Sequence, residues 1–563
     1  MQERTGAEII IGLLRRQGIR TIAGIPGGAI LPIYDALARQ NAIRHVLCRH
    51  EQGAGFIAQG MARVNGRPGV CLATSGPGST NLLTAIADAY LDSIPIIAIT
   101  GQVPRGLTGT DAFQEVGTPA LAQPITKAAF AAESAAELLE IIPRAFSASV
   151  SGRPGPVLID VPKDVQMEAA CFDDWPSPGR AGPSPGIEPE RLDKAADMVN
   201  AARRPILYVG GGAIHAGAAG LANRLVEKAS IPVITSLMAL GVIRKRHPLN
   251  LGMPGMHGAA HTNMALEECD LLMAVGARFD DRLTGKVKGF CPDAAVVHID
   301  VDSGELGKIV APKLGLQADA AEALRTILPR IEETNRAAWC ERVAELKRQH
   351  PLNMPRTDEP LSPYGLVQIV GQKMPEDAII ATDVGQHQMW VAQSYPFQHP
   401  RRWLTSGGLG TMGFGLPAAI GAALAEPDNI TVCFSGDGSL LMNIQELATL
   451  AEENLNVKIV LYDNGSLGLV RQQQSLFCEG RTFQSDYRKP TDFVSLARDF
   501  GIEGVDLGDQ RDPARTVADC LDREGPCLLR APVDREEMVY PIVPPGAANR
   551  DMLTEDRRAL ACG

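Results

Sequence analysis

The sequence predicts an α/β protein built from three doubly wound parallel-sheet domains, and two observations carry that expectation. Each third of the chain repeats one grammar, a short β-branched run, a Gly-containing turn and a segment of helical period, which is how parallel strands covered by helices read. Two stretches, DDWPSPGRAGPSPGIEPE from Asp173, dense in Pro and Gly, and PLNMPRTDEPLSP from Pro351 to Pro363, dense in Pro, can continue neither a helix nor a central strand and so separate the thirds. The expected division is 1–172, a linker at 173–189, 190–350, a linker at 351–363, 364–545 and a tail at 546–563. For 563 residues, at roughly 150 per domain, three domains is an ordinary outcome.

In the first third, Thr5 and Glu8 have capping-box spacing and open a helix expected to end near Gly18. Strand-like VCLATS runs into GPGS at Gly76 to Ser79, and PIIAIT follows from Pro95. The middle third offers PILYVGGG (Pro205 to Gly212), CDLLMAVGAR (Cys269 to Arg278) and AVVHIDVD (Ala295 to Asp302). The last third offers AIIATDVG (Ala378 to Gly385), NITVCFSGDGS (Asn429 to Ser439) and NVKIVLYDNG (Asn456 to Gly465). Ligands of doubly wound sheets sit beyond the carboxyl ends of the strands, where these segments place glycines and acids. A charge-free run from Trp403 to Ala425 is long enough to span a bilayer, but its six glycines, Thr405, Ser406, Thr411 and Pro417 make it a Gly-rich loop leading into a helix.

Composition narrows the function. Hydrophobic residues are 45% and charged residues 21%, which excludes a disordered or fibrous chain. Lys plus Arg is 54 against 65 Asp plus Glu, a net charge of −11, so no broad positive field awaits nucleic acid or an anionic membrane. Any bound phosphate must be held locally, by backbone amides or a metal. The eleven cysteines, from Cys48 to Cys562, include no CxxC pair and are expected to be reduced thiols, as in a cytoplasmic protein. The start, MQERTGAEII, lacks a signal-peptide apolar region, which agrees with that compartment.

The sharpest chemical signal is in the last third. TVCFS is a strand, Gly436-Asp437-Gly438 a turn that puts a carboxylate at its carboxyl end, and KIVLYDN a second strand that brings up Asn464. One carboxylate, one amide oxygen and a backbone carbonyl near Ser466 form a partial shell for a hard cation, which takes its other ligands from phosphate and water. This is the pattern of a Mg²⁺-diphosphate anchor.

GDGS followed by DN at this distance resembles the fingerprint of thiamin-diphosphate enzymes. The likeness extends through IPGGAILPIYDAL, RHEQGAGFIAQGMAR, GTDAFQE, GARFDDRLTGK, DVGQHQMW and SGGLGTMGFGLPAAIGAAL, which in this order resemble the catalytic large subunits of the acetohydroxyacid synthase (acetolactate synthase) family. The resemblance implies decarboxylation of pyruvate on thiamin diphosphate and condensation of the hydroxyethyl group with pyruvate or 2-ketobutyrate. The products would be 2-acetolactate or 2-aceto-2-hydroxybutyrate, in branched-chain amino-acid biosynthesis. It also implies Mg²⁺, a non-redox FAD, at least a homodimer with the active site between subunits, and a small regulatory subunit. Among related enzymes, a catabolic acetolactate synthase without FAD would not be expected to carry RFDDR, and glyoxylate carboligase would be expected to lack Glu51. Pyruvate oxidase would be distinguished by flavin reduction.

By the same resemblance, Glu51 contacts the pyrimidine N1′ and drives the imino tautomer that lets the cofactor deprotonate itself. The Gly410 carbonyl accepts from the 4′-amino group and Met412 wedges the cofactor into its bent shape. Val384, Gly385, Gln386, His387, Gly436, Gly438 and Ser439 surround the diphosphate, and Asp437, Asn464 and Ser466 hold the metal. Gly211, Gly212, Ser236, Leu237, Met238, Gly276, Arg278, Asp281, Asp300, Val301, Asp319 and Ala320 match FAD-contact positions. Arg282 grips the carboxylate of the second keto acid, a task suited to a planar guanidinium. Gly28, Ala29, Phe113, Gln114, Lys127 and Met256 match the remaining pocket wall. Gln473 stands where many members carry a Trp that packs on the extra methyl of 2-ketobutyrate. In this respect the chain resembles a less selective bacterial isozyme that also carries Gln.

Overall fold

The computed structural model describes residues 1–184 and 186–555. The first eight strands are β1 (Gln2–Thr5), β2 (Thr21–Gly24), β3 (Arg44–Leu47), β4 (Gly69–Ala73), β5 (Ile96–Gln102), β6 (Ala128–Ala131), β7 (Val157–Pro162) and β8 (Ala169–Phe172). Six of them form a parallel sheet in the order β3-β2-β4-β5-β7-β6. The other two, β1 and β8, pair antiparallel, a ribbon the sequence pattern did not announce. The middle strands are β9 (Pro205–Val209), β10 (Val233–Thr235), β11 (Asn250–Gly252), β12 (Leu271–Val275), β13 (Ala295–Asp300) and β14 (Leu314–Gln317), in the order β11-β10-β9-β12-β13-β14. The last are β15 (Ile379–Thr382), β16 (Trp403–Leu404), β17 (Thr431–Gly436), β18 (Val457–Asp463), β19 (Glu503–Asp506) and β20 (Cys527–Pro532), in the order β16-β15-β17-β18-β20-β19.

All three six-stranded sheets are parallel, as expected. Among their inner strands, β4, β5, β7, β9, β12 and β15 are buried at every residue, because helices cover both faces. The first and last sheets share one strand order, whereas the middle sheet follows the order typical of dinucleotide-binding folds. Strand order reverses between β2 and β4, between β9 and β12, and between β15 and β17. Each reversal opens a crevice beyond the strand ends.

The first and last sheets also share a hydrophobic core, in which Leu82, Ala98 and Leu158 belong to the same cluster as Ile379, Ile420 and Ile459. The helices Glu51–Asn65 and Gly415–Ala425 cross at its centre. A methyl on Gly60 would lie 2.1 Å from the Ala418 carbonyl oxygen, and one on Gly421 would lie 2.1 Å from the Ile57 carbonyl oxygen. The two Gly-rich segments are therefore matched surfaces of one close helix crossing.

The Thr5–Glu8 capping box is formed, with Glu8 N donating to Thr5 Oγ1 at 3.3 Å and Thr5 N to Glu8 Oε2 at 3.1 Å. Its helix spans Gly6–Arg16. The segment after Phe172 is laid against the first domain, for a methyl on Gly12 would meet the Trp175 ring at 2.4 Å and Gly182 N donates to Ser151 Oγ at 2.9 Å. Residues 546–555 pack on the middle domain, Asn549 Nδ2 donating to the Leu283 carbonyl at 2.9 Å. The rest of the expected tail, 556–563 with Cys562, lies outside the described residues. Among the described residues no helix is long and apolar enough to cross a membrane, and ten cysteines are free thiols. The Trp403–Ala425 run is a two-residue strand, a loop and the helix Gly415–Ala425.

Candidate active site

The crevice between β15 and β17 gathers the expected diphosphate residues. Asp437 opens a short helix directly after β17, and its Oδ1 accepts from Gly438 N at 2.7 Å. Ser466 N donates to Asp437 Oδ2 at 3.2 Å and to Asn464 Oδ1 at 3.0 Å. Two oxygens from separate strands thus converge on one amide. Burial, reinforced by the neighbouring Asp463 carboxylate, pushes the Asp437 carboxyl up to about 7. Among the described residues no group of three His, Cys, Asp or Glu could hold a metal, which leaves the mixed carboxylate-amide set as the chemistry on offer.

The walls of the crevice are glycine. Methyls on Gly385 and Gly436 would meet the His387 ring at 3.1 and 2.9 Å, and one on Gly438 would meet the Tyr487 hydroxyl at 2.5 Å and Met412 Cε at 3.5 Å. Ser439 Oγ donates to the Val384 carbonyl at 2.7 Å, closing the loop after β15 onto the loop after β17. Gln386 opens the helix Gln386–Ser394, and its Nε2 donates to Gln472 Oε1 at 3.0 Å and to the Glu537 carbonyl at 2.7 Å. His387 is held neutral by burial, its ring lowered to about 3, and its Nε2 is buried without a partner. A cradle of small residues, an uncompensated carboxyl and an orphaned ring nitrogen fit a diphosphate with its divalent cation.

The crevice between β2 and β4 gathers a second set. Glu51 is the first residue of the helix Glu51–Asn65, and its Oε2 accepts from Asn81 Nδ2 at 2.8 Å. Thr74 stands beside it, its Oγ1 accepting from Ala29 N at 3.3 Å next to Gly28. A methyl on Gly76, which sits at φ +60°, would lie 2.8 Å from Gln114 Cα, while the neighbouring Phe113 is 87% exposed. Within one chain no hydrogen bond among the described residues joins Glu51 to the Asp437 cluster.

The middle sheet carries the third set. A cleft with about 790 Å³ of open space at the β9–β12 crevice is lined by Gly211, Gly212, Ser236, Leu237, Met238, Gly276, Arg278, Asp300 and Val301. An adjoining cleft of about 880 Å³ adds Asp319 and Ala320, together with Ala181, Gly182 and Ser184 of the expected linker. Gly276, at φ +56°, accepts from Gly212 N at 2.9 Å, and a methyl on Gly210 would lie 2.1 Å from the Gly276 carbonyl oxygen. Burial raises the Asp300 carboxyl to about 6. Glycine-floored and placed at the strand-order reversal, this cleft fits a dinucleotide. Asp281 stands apart from it. Its side chain is 81% exposed and 3.9 Å from Arg282, while Asp280 lines the cleft and caps the next helix through Leu283 N at 3.0 Å.

Arg282 and Met256 are directly paired. Met256 N donates to the Arg282 carbonyl at 2.7 Å, and Arg282 Nη1 lies 3.6 Å from Met256 Sδ. The Arg282 side chain is 66% exposed and so remains available to an anion. Lys127 is set apart, its Nζ 2.5 Å from the Ser151 carbonyl. Gln473 is exposed on the helix Gly468–Phe477, whereas its neighbour Gln472 is buried and bonded to Val539 N at 2.9 Å and to the Val539 carbonyl at 2.8 Å. Asn81, Thr74, Asp383 and Gln472 escaped sequence reading. Asp383 accepts from Gly413 N at 2.7 Å and so ties the Gly-rich loop to β15.

Three family models match the chain. They are the N-terminal TPP binding domain of thiamine pyrophosphate enzymes over residues 4–121, the central domain over 192–327 and the C-terminal TPP binding domain over 383–531. Fold and site are together those of a thiamin-diphosphate-binding enzyme. The chain is 54% identical over 551 residues to the acetolactate synthase isozyme 1 large subunit of Escherichia coli (strain K12), covering 98% of each. It is 44% identical to the isozyme 2 large subunit of that organism, over 97% of this chain and 99% of the relative. To the chloroplastic acetolactate synthase 1 of Nicotiana tabacum it is 42% identical, over 98% of this chain and 85% of the relative. The chain belongs to the acetolactate synthase family.

Proposed function

We propose that this chain decarboxylates pyruvate and joins the remaining two-carbon unit to pyruvate or 2-ketobutyrate, with thiamin diphosphate anchored through Mg²⁺ and FAD held in the middle domain. The observation that carries this reading is the convergence of Asp437 and Asn464 on the Ser466 amide, at the reversal of strand order in a chain of this family. Thiamin diphosphate, when bound, supplies the carbon nucleophile that adds to the keto group and stores the electrons released with CO₂.

The chain's own residues do the rest. Asp437, Asn464 and a backbone carbonyl near Ser466 would hold Mg²⁺, and Val384, Gly385, Gln386, His387, Gly438 and Ser439 would enclose the diphosphate. Asn81 occupies one oxygen of Glu51, which leaves the other to hold and return the proton at the pyrimidine N1′. The carbonyl of Gly410, an exposed residue at φ +70°, would accept from the 4′-amino group, and Met412 would support the bent shape of the cofactor. Arg282, seated on Met256, would grip the carboxylate of the acceptor.

The net reaction moves no electrons to a flavin, so FAD would be structural here. Phe113, 87% exposed beside the Glu51 set, supports a site completed between two subunits. The relatives' designation as large subunits supports a small partner subunit, and ten free thiols support the cytoplasm as its compartment. The test is to supply pyruvate, thiamin diphosphate and Mg²⁺, with and without FAD, and to measure acetolactate. Acetolactate dependent on the thiamin cofactor upholds the reading, and flavin reduction by pyruvate without acetolactate would replace it with an oxidase.

A further inference from the structure

The loop from Ser406 to Phe414 belongs to the last domain, yet two aspartates of the first domain hold it. Asp92, directly after the helix Pro77–Leu91, accepts from Gly408 N at 2.7 Å through Oδ1 and from Gly407 N at 3.1 Å through Oδ2. Asp88, one turn earlier, accepts from Thr411 Oγ1 at 2.9 Å and from Ser406 Oγ. Arg63 Nη2 joins the pair, 2.8 Å from Asp92 Oδ2 and 3.4 Å from Asp88 Oδ2. All three side chains are buried. One cation between two carboxylates leaves surplus negative charge, and the amide and hydroxyl hydrogens of the loop answer it.

The same loop borders both ligand clefts. A methyl on Gly407 would lie 2.3 Å from Met238 Sδ, and one on Gly408 would lie 2.8 Å from Leu91 Cβ. Asp92, Gly407 and Met238 all line the dinucleotide cleft. A few residues further on, the loop carries Gly410 and Met412 to the thiamin side, where a methyl on Gly438 would come within 3.5 Å of Met412 Cε.

The geometry points to Asp92 as a positioning residue that couples the two clefts, an inference that rests on the proposed binding of both ligands. A dinucleotide seated against Gly407 and Met238 fixes the start of the loop. Asp92 and Asp88 hold its backbone in register, and the apex with Gly410 and Met412 is then preset for the aminopyrimidine. Thiamin diphosphate affinity therefore depends on FAD, and by linkage FAD affinity depends equally on thiamin diphosphate.

The test is calorimetric titration of the full chain with thiamin diphosphate and Mg²⁺, with and without saturating FAD. The wild-type chain is expected to bind thiamin diphosphate at least about fivefold more tightly when FAD is present. Asp92→Asn offers one acceptor to three donors, and it is expected to bind each ligand while losing most of that gain. Gly408→Ala disturbs the seat from the loop side with the buried charges intact, so it decides the matter if Asp92→Asn fails to fold. It is expected to erode the same gain. A wild-type affinity indifferent to FAD, or full gain in the variants, overturns the inference while leaving the proposed function standing. A wild-type chain that takes up neither ligand overturns both.

Discussion

Asp437 and Asn464 meet on a single donor, the Ser466 amide, 3.2 Å from Asp437 Oδ2 and 3.0 Å from Asn464 Oδ1. Because β17 and β18 are hydrogen-bonded neighbours, the ends of two adjacent parallel strands deliver the two oxygens side by side. The Ser466 N–H fixes their separation, and burial leaves the pair short of positive charge.

Asp437→Ala removes the only carboxylate of the proposed metal shell. Loss of Mg²⁺ and thiamin diphosphate affinity together is expected, by ~100-fold or more, the upper end of what even outer-shell partners of a metal contribute. Titration of thiamin diphosphate at limiting Mg²⁺ checks this, and unchanged affinity would place the anchor elsewhere.

Arg282→Lys trades a planar two-point grip for a point charge on a side chain that faces solvent. Condensation is expected to fall ~10- to 100-fold, the worth of one charge-assisted hydrogen bond, while release of CO₂ from pyruvate falls less. The ratio of CO₂ to acetolactate measures the split, and equal losses would assign Arg282 to general support.

Gln473→Trp addresses acceptor choice. One methylene is the whole difference between the two acceptors and is worth ~0.8 kcal/mol, rising to ~3 in a tight pocket. An indole face supplies that contact better than a flexible amide. The variant is expected to shift product several-fold toward 2-aceto-2-hydroxybutyrate in direct competition, and an unchanged ratio would remove the exposed Gln473 from the pocket.

Asp160 gives a pH test remote from the site. Burial raises its carboxyl to about 6, against hydrogen bonds from Thr100 Oγ1 at 2.6 Å and Gln102 Nε2 at 3.0 Å. Between pH 4 and 6 the folded chain keeps this proton while the unfolded chain has released it, so the stability it contributes is full in acid and lost as pH rises. At ~1.4 kcal/mol per pH unit, Asp160→Asn should gain up to ~3 kcal/mol on wild type over that window in denaturant melts. A pH-independent difference would contradict the assignment.

Much of this architecture was legible because parallel strands buried on both faces read as short apolar runs ending in glycine and acid, as TVCFSGDG does at β17. The Thr5–Glu8 cap was legible because it is local. The antiparallel β1–β8 ribbon was not, since its partners are far apart in sequence and neither strand has a buried face that alternates cleanly. Asp280 and Asp281 are adjacent, and only the helix that Asp280 caps decides which faces the cleft. Asn81, Thr74 and Asp383 act through contacts between elements, for which a single sequence holds no signal.

The central claim, that this fold activates thiamin diphosphate through Glu51, is tested most directly by exchange of the thiazolium C2 proton, followed by nuclear magnetic resonance, in Glu51→Gln with cofactor and Mg²⁺ bound. An amide cannot pass the proton at N1′, so the variant is expected to bind the cofactor yet exchange C2 ~10²- to 10⁴-fold more slowly than wild type. Exchange at the wild-type rate would contradict the account.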